Sequence, residues 1–413
     1  MGLELRLAWR NVWRNPRRTG LTIAATVFAV FLVVFFVAMG AGLHEKMIED
    51  SVRVHSGHLT VTGEGYLEHK TMEYGVPFDA ALRAVLEGDP AVAGIAPRVT
   101  GFGLLSKTAK AQGVMVMGVD PAREGTVSTL PERIVDGRFL SGDTPRAIVL
   151  GSRLAENLGA APGDELLLYS VAYSLEMAYE LFTVVGVMRL PEPALDRRFA
   201  VIRLDDAQEF FVYGDLVTEV ALLTSSAEAA APLAERLRGE LPPGAERPFA
   251  VHTWNEVLPE LEQLILLDDS QMYITLAILV IVVAFGILNT ILMAVLERAR
   301  ELGVLLALGF RPGAIFRLIF FESLMLAGVG LLIGLALAIP AVFWFEAHPI
   351  WLESESMTAM VEMFGMEPVM TWKFKITNPI WSSVTIFLVA SLAALYPAWK
   401  ASRARPVDAL RAV

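Results

Sequence analysis

Four runs of apolar residues dominate the chain: Leu21–Leu43, Met272–Leu296, Leu318–Phe345 and Pro379–Trp399. Each is about as long as the roughly 20 residues that carry a helix across a bilayer. Glu322, near the start of the third, is the only charged residue within them. The third run is the longest and exceeds a hydrocarbon core of roughly 30 Å, which predicts tilt or protrusion. The intervals between runs are unequal. A long polar stretch, 44–271, follows the first, a short charged segment, 297–317, the second, and a loop, 346–378, the third.

The short segment 297–317 is the most informative of these. A charged, helix-prone stretch between two membrane runs cannot lie in lipid, so it is read as a helix on the membrane surface. Arg298, Arg300, Glu301 and Arg311 flank Leu302, Leu305, Leu306 and Leu308, which alternate with Gly303, Ala307 and Gly309. Gly309 and Pro312 predict its end. An apolar ridge between charged flanks suits a groove in a partner, with Leu302, Leu305 and Leu306 as the expected ridge.

Ahead of the first run, Leu3–Arg14 has Arg6, Arg10 and Arg14 on one helical face and Leu5, Trp9 and Val12 on the other, with Trp13 beside them. That pattern predicts an interfacial elbow over 1–20, with Trp9, Arg10, Trp13 and Arg14 at the membrane surface. Pro16 breaks it. The first run exceeds a leader's apolar core of roughly 7–15 residues, so it reads as a span, not a cleaved signal. Arginines and lysines cluster before the first run, in 297–317 and in the tail 400–413, which predicts cytoplasmic termini and a cytoplasmic 297–317. The stretch 44–271 and the loop 346–378 then lie outside.

Within 44–271 the pattern is α+β. Strands are expected at Val52–Thr62, Val114–Val119, Leu216–Thr224 and Pro248–His252, and helices at Phe78–Glu87, Ser152–Leu158 and Ala227–Glu240. Glu165–Tyr173 and Tyr179–Met188 read as a hairpin. The last strand–helix–strand unit closes a split βαβ with the strand after the first run, leaving about 107–214 as an inserted lobe. Leu43–Ser51 and Trp254–Leu267 are expected as stalk helices. The stretch holds 35 acidic against 19 basic residues, a balance that favours solubility.

Composition agrees: 54% of residues are hydrophobic and mean hydropathy is +0.52, too apolar for an ordinary soluble protein. Cysteine is absent. No Gly-x-x-x-x-Gly-Lys-Ser/Thr loop occurs, so nucleotide binding by that route is excluded. His55 and His58 form an H-x-x-H pair, but on a strand they point to opposite faces, so they read as surface histidines and no metal is expected. Nothing has the spacing of a catalytic triad or a metalloprotease helix, so the chain is not expected to be an enzyme. Glu322 is read as snorkelling or pairing with Arg317 or another cytoplasmic arginine. Gly328, Gly330 and Gly334 permit close helix contact, within the chain or between two chains. Phe31, Phe35, Phe36 and Met39 on the first run, with Met272 and Tyr273 on the second, form a greasy surface. It either faces lipid passively or holds acyl chains.

At Leu7–Thr19 (LAWRNVWRNPRRT), Glu297–Gly309 (ERARELGVLLALG) and Tyr396–Leu410 (YPAWKASRARPVDAL) the chain resembles permeases of the MacB/FtsX superfamily. The resemblance implies a membrane protein of four transmembrane α-helices with a large α+β extracytoplasmic domain, a porter-like lobe plus an inserted lobe, between the first two. It implies a cytoplasmic ABC ATPase dimer docked on 297–316, holding the ATP and Mg that this chain lacks. It also implies a second permease, identical or not, and a bacterial inner-membrane location. Val54–Gly65, Ile148–Gly159 and Phe182–Met188 resemble the lipoprotein-release branch most, which implies membrane lipid, a lipoprotein and a periplasmic carrier as partners and extraction driven by mechanotransmission. The hairpin Tyr169–Phe182 is short and lacks proline, a departure that puts carrier docking in doubt. The alternatives are efflux of a drug, peptide or toxin and signalling to a cell-wall hydrolase. No nucleic-acid partner is expected.

Overall fold

The computed structural model describes residues 10, 12–14, 16–241, 248–352, 354, 358 and 368–403. Trp9, most of the expected elbow and the tail beyond 403 lie outside the described residues. The chain divides into two compact units, one of residues 1–44, 265–351 and 369–413, the other of 45–264 and 352–368.

Four helices among the described residues are long and apolar enough to cross a membrane: Pro16–His55, Pro259–Glu297, Pro312–Ala347 and Thr377–Ser402. In the first unit the third helix lies against the first through Gly330 and Gly334. A β-carbon at Gly330 would stand 2.6 Å from Cβ of Thr26, and one at Gly334 would stand 2.7 Å from Cβ of Val30. The glycine pair therefore works within this chain, where only a missing side chain allows such an approach. The fourth helix brings Ala390, Ala394, Ala398 and Ala401 into a core with Ile287, Ile291, Val295, Ile315 and Ile319. A second core joins Val30, Val33, Val34 and Ala38 to Ala338, Val342, Trp372 and Ile386.

The other unit is built on a ten-stranded sheet. In chain order its strands, with the short β2 and β10 that pair apart from it, are β1 (Leu59–Gly63), β2 (Val76–Pro77), β3 (Val92–Lys107), β4 (Lys110–Val119), β5 (Ile134–Gly137), β6 (Ala147–Gly151), β7 (Glu165–Val171), β8 (Met177–Met188), β9 (Phe199–Arg203), β10 (Leu216–Val217), β11 (Glu219–Thr224) and β12 (Phe249–Thr253). The order β12-β1-β11-β3 makes two split βαβ units. Helix Ala80–Gly88 links β1 to β3, and helix Ala230–Glu240 links β11 to β12. Leu82, Leu86, Leu233 and Leu237 press from these helices onto Leu59, Val61, Val220 and Leu222. The chain between β3 and β11 forms the second lobe, in which β4 runs parallel to β9 and β6 parallel to β8.

Two expectations at the ends of the long helices need correction. Val52–Thr62 is not one strand: helix persists to His55 and β1 starts at Leu59. The alternation of Val52 and Val54 was too short to outweigh helical ion pairs, Lys46–Asp50 at 2.6 Å and Glu49–Arg53 at 3.5 Å. Gly57, at φ +66°, turns the chain out of the helix. Trp254–Leu267 is not one helix either. A capping box of Thr253 and Glu256 starts a single turn, Trp254–Val257, and the long helix begins afresh at Pro259. Leu258 precedes that proline, whose ring disfavours helical backbone in the residue before it.

His58 is buried rather than on the surface. Its Nδ1 accepts from the Thr224 amide at 3.2 Å, so Nε2 carries the proton and faces Glu49 at 3.3 Å. Arg98, fully buried, is held by Glu124 through Nε at 3.2 Å and Nη2 at 2.6 Å, with Glu219 3.7 Å from Nη1. Desolvation lifts the Glu219 carboxyl above its ordinary value, against the opposing pull of Arg98.

Candidate functional site

The segment between the second and third long helices folds as a separate helix, Ala299–Ala307. Arg298, at φ −105° and ψ 13°, breaks it from the helix before. Leu308 caps its end and Gly309, at φ +93°, supplies the left-handed turn that stops it. Pro312 then opens the third long helix at a position where its missing N–H costs nothing.

This short helix has two different faces. Leu302, 3% exposed, and Gly303 are buried, and half-buried Leu305 and Leu306 lie beside them. They pack on Ile287, Ile291, Val295, Ile315 and Ile319. The expected docking ridge thus points into the helical unit, which corrects the assignment of Leu302, Leu305 and Leu306. The outward face carries Arg300, Val304, Ala307 and, 74% exposed, Leu308, with Phe310 and Arg311 following. Val304 and Phe310, exposed like Leu308, were not among the expected residues. Arg300, Val304 and Ala307 share one face of the short helix, so their common exposure could be read from spacing alone.

The charged residues divide in the same way. Both carboxylate oxygens of Glu322 accept from Nη1 of Arg298, at 3.1 and 3.0 Å, and Nε of Arg298 donates to Glu301 at 3.2 Å. Arg14 also donates to Glu301. Burial pushes the Glu301 carboxyl up, but the hydrogen bonds from Arg14 and Arg298 outweigh it and hold the group below its ordinary value. Arg298 is therefore engaged inward, while Arg300 and Arg311 remain outside. Glu322 is paired with an arginine, as expected, and Arg298 is one such partner. Of the expected membrane-surface residues, Arg10, Trp13 and Arg14 are exposed.

The greasy surface is split too. Phe35 is half-buried, stacked on Phe31 with centroids 5.5 Å apart and set 5.2 Å from both Phe345 and Trp372. Met39 joins this cluster. Met272 fills the space above Gly40, where a β-carbon would stand 2.5 Å from its sulfur. Phe31, Phe35, Met39 and Met272, half-buried, thus also pack within the unit and offer less of the expected greasy surface. Phe36 and Tyr273 face outward, together with Ile274, Ile278, Val282 and Phe285 of the second helix.

One apolar surface escaped the sequence reading. The β7–β8 hairpin turns out Val171, Tyr173, Met177, Tyr179 and Leu181, with Leu175 at its tip 84% exposed. Tyr169 stands opposite Tyr179, Leu167 opposite Leu181, and Leu104 of β3 beside Tyr169. The solvent side of an antiparallel sheet is ordinarily polar, so an apolar face of this extent marks a contact surface. Period-two alternation cannot reveal it, because both faces of the hairpin are apolar.

Comparison with known proteins bears on this site. Residues 19–240 match the MacB-like periplasmic core domain, and residues 273–406 match the FtsX-like permease C-terminal domain. The chain is 26% identical over 378 residues to the lipoprotein-releasing system transmembrane protein LolC of Xylella fastidiosa (strain Temecula1), covering 89% of this chain and 87% of that one. It is 25% identical over 341 residues to the lipoprotein-releasing system transmembrane protein LolE of Haemophilus influenzae, covering 79% of each. Similarity to the macrolide export ATP-binding/permease protein MacB of Syntrophobacter fumaroxidans is 28% over 176 residues, 43% of this chain and 22% of that one.

Proposed function

The chain belongs to the MacB/FtsX permease family, and from that premise we propose that it is the membrane subunit of an ABC transporter that releases lipoproteins from the bacterial inner membrane. It is a multi-pass membrane protein of the permease type, and the reading leaves catalysis to a separate subunit. The reading assigns a cytoplasmic side to the termini and to Ala299–Ala307. The large domain is then periplasmic, and a separate ATPase dimer binds the short helix and hydrolyses ATP with Mg. A second permease, homologous or identical, completes the transport path.

The observation that carries the mechanism is the two-faced helix Ala299–Ala307. Its inner face is anchored in the transmembrane unit by Leu302 and Arg298, so a push on the outer face at Arg300, Val304 and Leu308 moves the helices beneath. Relatives named for lipoprotein release, matched over most of both chains, support the cargo. The physics agrees with an external energy source. Each methylene of an acyl chain adds about 0.8 kcal/mol to membrane anchoring, so a dozen hold by roughly 10 kcal/mol. Although the β7–β8 hairpin is short and lacks proline, its exposed apolar face offers a surface for a periplasmic carrier, which supports handover there. Efflux and signalling have less support, since the export relative is matched over only 22% of its length.

The test is reconstitution. The permease, its ATPase and an acylated lipoprotein are placed in vesicles, and ATP-dependent appearance of the lipoprotein in the soluble fraction is measured with a carrier present. Photocrosslinkers at Phe36 and Tyr273 identify what the outward faces meet. A soluble small molecule trapped there, with no lipoprotein released, overturns the proposal in favour of efflux.

A further inference from the structure

Glu322 and Arg298 form an ion pair of unusual placement. Glu322 lies on the third long helix with its side chain 8% exposed, beside Thr22, Thr290, Leu302, Ile319 and Ser323. Arg298 occupies the break between the second long helix and the short helix. A carboxylate in a transmembrane segment is costly unless paired, and partial exclusion of water makes the pair's attraction weakly screened. Well-packed apolar residues of similar volume hold helices together at least as well, so cohesion alone does not account for a buried pair.

The pair differs from apolar contact in direction. The contacts of Leu302 and its neighbours are non-directional, so no single one fixes the angle between the helices. Both oxygens of Glu322 engage one guanidinium nitrogen at 3.1 and 3.0 Å, and Nε of the same planar group is tied to Glu301 at 3.2 Å. Arg14 holds Glu301 from the N-terminal side. The four charges run unbroken as Arg14, Glu301, Arg298 and Glu322, from the N-terminal segment across the short helix into the third long helix. The planar, multiply bonded guanidinium resists lateral shift and rotation in a way that an ammonium does not.

We propose that the Arg298–Glu322 pair is the strut through which displacement of the short helix moves the third long helix, with Arg14–Glu301 bracing its outer end. This rests on the coupling role proposed above. Arg298 and Glu322 are positioning residues, since neither is required to touch ATP or cargo. The function assigned to the strut is to keep ATP turnover and helix movement in step.

Absence of cysteine allows single reporters to be introduced freely. The purified permease–ATPase complex carries a nitroxide at Leu337→Cys, an exposed position on the third helix. Its spectrum is compared with and without ATP, alongside ATP turnover and lipoprotein released per ATP. Glu322→Gln and Arg298→Lys are expected to assemble and to hydrolyse ATP, to lose the ATP-linked spectral change and to release roughly five- to tenfold less cargo per ATP. The exchange Arg298→Glu with Glu322→Arg, made together with Glu301→Gln so that no two carboxylates adjoin, is expected to restore both readouts. The proposal is overturned if the parent spectrum does not respond to ATP, or if Glu322→Gln responds as the parent does. It also falls if the variants lose assembly and turnover together and the exchange does not rescue them, which marks a purely structural pair. A parent that responds to ATP yet releases no lipoprotein refutes the cargo assignment and leaves the strut supported.

Discussion

Leu302 and Leu308 stand six residues apart with opposite environments, and their truncation separates the two faces of the short helix. Leu302 is 3% exposed among Ile291, Val295, Ile315 and Ile319. Leu302→Ala removes core contacts and leaves a cavity, a loss of about 2–5 kcal/mol in a closed core. The lower end applies here, because the site lies at the rim of a helical unit and can relax. Leu308 is 74% exposed and stabilises nothing comparable in the isolated chain. If an ATPase groove buries it, the gain is three-quarters of the roughly 1.5–3 kcal/mol for a fully buried leucine, about 1–2 kcal/mol per site. Leu308→Ala then weakens ATPase binding by about 5- to 30-fold, and Leu308→Asp by more, since a carboxylate must be dehydrated. The assay pairs thermal unfolding of the detergent-solubilised permease with its affinity for the ATPase. Leu302→Ala should lower the unfolding midpoint, and Leu308→Ala should lower affinity with the midpoint unchanged. The reasoning is refuted if Leu308→Asp binds as the parent does while Leu302→Ala loses binding at an unaltered midpoint.

Four further outcomes follow from packing and burial. Gly334→Ala forces apart helices whose Val30 Cβ lies 2.7 Å from the new atom, and should destabilise the protein by about 1–3 kcal/mol in thermal unfolding. Gly328→Ala, with nothing within 4 Å, should be neutral. His58→Ala leaves the Thr224 amide without its acceptor and should cost about 1–3 kcal/mol, read as faster hydrogen exchange at that amide. Burial raises the Glu219 carboxyl, whose side chain is 15% exposed, so its contribution to stability is full below the unfolded carboxylate value and is lost as pH rises through the raised folded one. Glu219→Gln, which cannot ionise, should match the parent at low pH and exceed its unfolding midpoint above that window; parallel pH curves would count against this.

Much of the architecture was legible in the chain itself. Helix Ser152–Leu158 ends at Gly159 as its sequence requires, because that glycine adopts φ +64°. One split βαβ unit was visible from β11, its following helix and β12. Long β3 was not, since Gly94, Pro97, Gly101 and Gly103 interrupt its pattern and only pairing with β11, β4 and β7 makes it a strand. The short helix was found, but its inner and outer faces were exchanged. Leucines occur on both sides, and local sequence does not say which side meets Ile291 and Ile319.

What the sequence alone determined is what depends on the solvent around a residue. Four apolar runs must leave water, 297–317 must stay out of lipid, and Glu322 must find a cation, all from transfer free energies of single segments. Tertiary structure decided what depends on which surfaces meet. It directed Gly330 and Gly334 to Thr26 and Val30 of the same chain, and it brought Arg298 to Glu322. It also turned Leu302 inward, Leu308 outward and the hairpin's aromatic side chains to solvent. Burial is settled by the neighbour that arrives, and those neighbours are distant in sequence.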